Sequence, residues 1–168
     1  MIPMYQICVP PALRALANLA DVLSKGDQHC MQNKIDPAVM LQSRLFPDML
    51  PLVRQVQIAG DMARRLGGRM ASQDVPSIAD TETTFAELDQ RLKTSIAFLQ
   101  SLDAKQFEGS DSRDIVVPSR QGDMHLPGLA YVQGYALPNI YFHVTTAYNI
   151  LRHNGVPVGK KDFLGALT

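Results

Sequence analysis

Four stretches of the chain place apolar residues three and four apart, the rhythm that gathers side chains on one face of an α-helix. The first is Leu13, Leu16, Ala20 and Leu23. It predicts a helix over residues 11–30, opened by Pro10-Pro11 because proline suits a first turn. The second is Leu52, Val56, Ala59, Ala63, Leu66 and Met70, a long amphipathic stripe. Asp48 is its expected cap, with Pro51 tolerated in the first turn. The third is Phe85, Leu88, Leu92, Ile96 and Leu99, with Thr84 and Glu87 ahead of it at capping-box spacing. The fourth begins near Leu129 and stops at Asn154-Gly155, where glycine takes the left-handed turn past a helix end.

The segments between these stripes have other rhythms. Asp36-Pro37 reads as a cap followed by a first-turn proline, so a short helix is expected to about Arg44, with Val39 and Met40 facing inward. Residues 114–118 and 122–126 are short β-type runs joined by a turn at 119–122, which predicts a hairpin whose first strand Pro118 confines to an edge. In the tail, 156–168, Phe163 and Leu164 are candidates to dock back. The pattern predicts an all-α domain spanning 1–168. It has four long helices in an antiparallel bundle, one short extra helix, and a small β-hairpin before the last long helix.

Composition narrows the function classes. Lys plus Arg and Asp plus Glu both number 16 in 168 residues, so formal charge is zero. No basic stripe suggests a nucleic-acid surface. The apolar runs fall short of the roughly 20 residues a bilayer-crossing helix needs, and the start of the chain lacks the form of a secretory signal. Cys8 and Cys30 have no CxxC partner, which fits buried thiols in a reduced cytoplasm better than a disulfide or zinc site.

Candidate chemistry concentrates on the fourth helix. Val132, Ala136, Asn139, His143, Ala147 and Ile150 share one row; Leu137, Tyr141, Val144, Tyr148 and Leu151 form the next. Asn139 and His143 are thus two polar residues on a face expected to point inward, where each needs a partner. Pro138 is expected to kink this helix and free a carbonyl one turn earlier, which Asn139 could answer. On the second long helix Gln57 and Asp61 stand four apart beside the apolar stripe. They read either as a solvated flank or as partners of His143.

The segments IDPAVMLQSRLFPDMLPLVRQVQIAGD, DTETTFAELDQRL and LPNIYFHVTTAYNILRHNG resemble a bacterial family of unknown function in the DinB/YfiT-like superfamily of metalloenzyme relatives. The resemblance covers nearly the whole chain. It implies an up-down-down-up four-helix bundle, often dimeric. It also implies a metal site made of one histidine on the second long helix and an HxxxH pair on the fourth. Here the HxxxH positions hold Asn139 and His143, and the remaining position looks like Gln57. Two of three ligands are therefore amides, which bind zinc or nickel weakly.

Three readings of His143 stay open: a satisfied core histidine, part of a polar ligand pocket with Asn139, Gln57 and Asp61, or a weak ligand for zinc or nickel. The function readings follow from these. One is a small-ligand-binding or interaction module with a degenerate metal site; the alternative is a metal-dependent thiol transferase or hydrolase centred on His143. The outer row Pro138, Phe142, Thr145 and Asn149 carries an aromatic. Together with the resemblance, it predicts a homodimer. No nucleic-acid or membrane partner is expected.

Overall fold

Residues 2–119 and 121–166 are described by a computed structural model. The order is α1 (Met4–Asn33), α2 (Pro37–Gln42), α3 (Leu52–Ala71), α4 (Phe85–Gln100), a 3-10 turn (Ala104–Phe107), β1 (Asp114–Val117), β2 (Met124–Pro127), α5 (Gly128–Tyr131), a π-helical turn (Val132–Ala136), α6 (Leu137–His153) and α7 (Lys160–Leu164). The fold is mostly helical. Its two strands pair antiparallel, with Asp114 opposite Pro127 and Val117 opposite Met124. Arg120 in the hairpin turn and the last two residues of the tail lie outside the described residues.

The α3 stripe is buried at all six positions, and in α4 Phe85, Leu88, Leu92 and Leu99 are buried with Ile96 packed beside them. The Thr84–Glu87 capping box is present with both reciprocal hydrogen bonds. Levels of contact give the helix directions. Gln55 meets His143 and Arg69 meets Tyr131, so α3 runs against α6. Gly60 faces Leu92 and Ser95 while Gly67 faces Leu99 and Leu102, so α3 and α4 run the same way. Gly26 of α1 meets Leu151 and Phe85, and Tyr5 packs edge-on against Phe107. α1 therefore runs against α4. A Cβ at Gly26 would stand 2.8 Å from a Leu151 methyl, so glycine here permits close approach of α1 to α6.

Several expectations are corrected. α1 starts six residues before Pro10, and both prolines lie inside it. Their missing N–H groups leave the carbonyls of Gln6 and Ile7 without helical donors. By length and composition α1 is apolar enough to cross a membrane, against the expectation of no such run. In this fold Leu16, Leu19 and Leu23 are buried against the other long helices. Asp48 does not cap α3; Pro51 takes that position without a side-chain bond. In α2 the inward pair is Met40 and Leu41, and Val39 is 63% exposed. In α6 the inward face is rotated from the expected rows: Ile140 is buried, Tyr141 is exposed and His143 is half-buried. Phe163 docks on Tyr148, but Leu164 is exposed.

The helix distortion lies one turn before Pro138. In the π-helical turn the Leu137 N–H reaches back to the Val132 carbonyl. Pro138 cannot donate to the carbonyl of Gly134, and Gly134 is exposed to water. A π-turn is one of the recognised causes of a kink.

Candidate functional site

His143 is held by α3. Its Nδ1 lies 2.7 Å from Oε1 of Gln55, a side chain that is 2% exposed. Gln55 Nε2 donates to the Leu50 carbonyl at 2.9 Å. That bond fixes which end of the amide is oxygen, and an amide oxygen only accepts. Nδ1 of His143 must therefore carry the proton and donate it. Burial holds the imidazole below its usual value, because desolvation disfavours the charged form. At neutral pH His143 is a neutral Nδ1–H imidazole with a lone pair on Nε2. No partner for Nε2 is found among the described residues. The ring of Phe142 stands edge-on to the imidazole at 5.2 Å between centroids, and Phe142 is 56% exposed.

Asn139 lies one turn before His143. Its Nδ2 donates to the Tyr135 carbonyl at 2.6 Å. The carbonyl that Pro138 frees is that of Gly134, so this amide does not answer it; Oδ1 and the second N–H are left for other partners.

Gln57 and Asp61 belong to a different constellation. Gln57 is buried, not a solvated flank, and bonds Arg54 at 2.6 Å and Glu82 at 2.7 Å. Asp61 Oδ1 accepts from Arg64 at 2.6 Å and from Arg91 at 2.9 Å. The Arg91 side chain is fully buried. It also donates to Glu82 at 2.8 Å, to Asp80 at 2.9 Å and to the Ala79 carbonyl. Arg54 completes a ring by pairing with Asp80, and Arg64 reaches the Pro76 carbonyl. Three guanidinium and three carboxylate groups balance. The cluster ties the 76–82 segment across α3 and α4.

The electrostatics follow from that geometry. Burial raises the Glu82 carboxyl, but hydrogen bonds from Arg91 and Gln57 more than offset it and hold the group below its usual range. The bond from Arg54 leads in holding Asp80 low. Burial works against the charge of Arg91, yet Glu82 and Asp61 keep it raised. Glu82, Asp80 and Arg91 are therefore all held in their charged forms. Only the Nε atoms of Arg64 and Arg91 are buried without a partner among the described residues.

The four residues expected to converge are thus divided by their hydrogen bonds. Asn139 and His143 lie on α6 with Gln55, while Gln57 and Asp61 join Arg91. No bond links the two groups among the described residues. Residues 55 and 57 are about 200° apart around a helix at 3.6 residues per turn, so one amide faces α6 and the other faces the loop.

The donor set does not fit a three-histidine metal site. One imidazole is available; Gln55 Oε1 already takes its proton, and Asn139 has one amide oxygen to offer. The carboxylate expected nearby, Asp61, is held by two arginines. Among the described residues no group of three His, Cys, Asp or Glu side chains is placed to hold a metal.

Sequence reasoning missed Gln55 and the Arg91 cluster. Arg91 was detectable, because it falls in step with Leu88, Leu92 and Ser95 on the buried face of α4. A charge inside an apolar stripe signals a paired interior group.

Residues 4–164 match the family described as a domain of unknown function, DUF1993. No curated protein matches the chain. Among solved structures it is similar to a crystal structure of a DinB family member protein from Shewanella denitrificans. The two are 41% identical with a TM-score of 0.92, over 98% of this chain and 93% of that chain. The match spans the hairpin and the His143 helix as well as α1, α3 and α4, and the chain belongs to the DUF1993 family, DinB-like in fold and of unknown function.

Proposed function

We propose that this protein is a small-ligand-binding or interaction module on a DinB-like scaffold whose metal site has degenerated. The opposed and parallel helix contacts support reading the scaffold as an up-down-down-up four-helix bundle. The observation that carries the functional reading is the Gln55–His143 pair. It fixes a neutral imidazole with Nε2 free to accept from a small polar ligand. Asn139 offers one further oxygen from the same helix. Gln57 and Asp61 serve by holding the 76–82 segment in place, not by touching the ligand. The two buried free cysteines support a reducing bacterial cytoplasm as the setting. The exposed Phe142, beside outward Thr145 and Asn149, supports a homodimer through α6.

The test is a thermal melt of protein purified without a histidine tag, with chelator and with added zinc, for wild type and His143→Ala. The expected result is no loss with chelator and no gain with zinc. A chelator-induced loss that zinc restores and His143→Ala abolishes would favour the metal-dependent transferase or hydrolase reading instead. Sedimentation at tens of micromolar, roughly where standard-sized interfaces persist, is expected to show dimer; monomer alone would contradict that part.

A further inference from the structure

A cavity of about 490 Å³ opens at the end of the molecule where α1 begins. It lies apart from His143. Its α6-side wall is Leu129 and Gln133, ten or more residues earlier on the same helical run, roughly 15 Å away at 1.5 Å per residue.

The walls are apolar and fixed. Tyr5 and Ile7 of α1 form one side. Phe107 forms the floor, 2% exposed and edge-on to Tyr5 at 5.3 Å. Leu129 closes the other side while remaining 38% exposed. The loop after the 3-10 turn is pinned across the start of α5 by the Leu129 N–H, which donates to the Asp111 carbonyl at 2.9 Å. That loop crosses so close that a Cβ on Gly128 would stand 1.8 Å from the Ser110 carbonyl oxygen. The cavity is therefore preformed, as ligand pockets usually are.

The charged side chains of the lining are of one sign. Glu108 and Asp111, both exposed, line the cavity with Gln133, and no lysine or arginine side chain lines it among the described residues. Arg113, the nearest arginine in sequence, is engaged with the Met70 carbonyl. An apolar cavity of this size with an acidic mouth suits a ligand whose hydrocarbon part enters and whose cationic head stays at the rim. We propose that this cavity is a binding site for a hydrophobic amine. The site is independent of the His143 reading, so either can fail alone.

The chain contains no tryptophan, and Ile2 lines the cavity while 70% exposed. Ile2→Trp therefore supplies a fluorescent reporter. The probes are decylammonium, decanoate and decyl maltoside, each below micelle formation. Decylammonium is expected to bind about ten-fold more tightly than decanoate, a ratio two partly screened carboxylates can supply. Glu108→Gln with Asp111→Asn is expected to remove most of that ratio while leaving decyl maltoside unchanged. Leu129→Gln, a neutral change at a partly exposed position, is expected to weaken all three. Equal affinity for ammonium and carboxylate would overturn the proposal. So would a ratio that survives the double substitution, or binding untouched by Leu129→Gln. Absence of binding by every probe at millimolar concentration would overturn the cavity itself as a site.

Discussion

Two polar constellations flank α3, and they contrast in every physical respect. The Arg91 cluster is charged, crowded and nearly saturated: three guanidinium groups and three carboxylates use each other and nearby carbonyls. The His143 pair is neutral and sparse, with one hydrogen bond fixing the ring and one nitrogen unused. A saturated buried network has little left to offer a ligand and holds structure. An oriented imidazole with a free lone pair is a group prepared for a partner. Abundance of ionisable residues thus does not point to the site proposed around His143.

The largest expected effect separates the two regions at once. Arg91→Met leaves Asp61 and Glu82 as buried or half-buried carboxylates short of a donor. Removing one partner of such a network costs roughly 3–5 kcal/mol, on the order of 10 °C in melting temperature for a chain this size. The measurement is calorimetry. A loss as small as that of an exposed ion pair, below about 1 kcal/mol, would show that the cluster is not structural.

Acid should act on the two regions in sequence. The folded values of Glu82 and Asp80 lie below their ordinary ones. Their stabilisation is complete above about pH 4 and is lost as pH falls through the lowered values. His143 is also depressed, so its neutral form favours the fold. That contribution is present above about pH 6.5 and fades as pH falls through the lowered imidazole value. Denaturant unfolding across pH is expected to show an upper shoulder that His143→Gln removes and a lower decline that Glu82→Gln reduces. A stability that rises on acidification between pH 7 and 5 would contradict the assignment at His143.

The smallest effect belongs to Gln55→Leu. It removes the acceptor of the His143 proton from a half-buried pair, a cost of about 1 kcal/mol. Its clearer signature is loss of the fixed tautomer, read by nuclear magnetic resonance of the ring nitrogens.

Much of this fold was legible because periodicity reports burial directly. The α3 and α4 stripes, the Thr84–Glu87 box and the hairpin all follow from spacing and capping chemistry. The phase of a helix flanked by few polar residues is harder to read. On α6, apolar residues occupy most of the circumference, so spacing alone did not reveal that Ile140 points inward and Tyr141 outward. Gln57 was offered as a site position by the resemblance, whereas the hydrogen bond to His143 comes from Gln55, two residues earlier on the same helix. The start of α1 was hidden by Pro10-Pro11. Prolines favour a first turn, yet here packing of Cys8 and Val9 into the core extends the helix past them. The Arg91 cluster depends on a loop, 76–82, whose path no periodicity records.

The central claim is the state of one imidazole. Long-range proton–nitrogen correlation spectra of His143, followed through a pH titration and then with zinc at equimolar ratio, test it most directly. The expected result is the Nδ1–H tautomer at neutral pH, a midpoint below the ordinary imidazole value near 6.5, and ring-nitrogen shifts that zinc leaves unchanged. The Nε2–H tautomer, a raised midpoint, or a stoichiometric zinc-induced shift at Nε2 would contradict it.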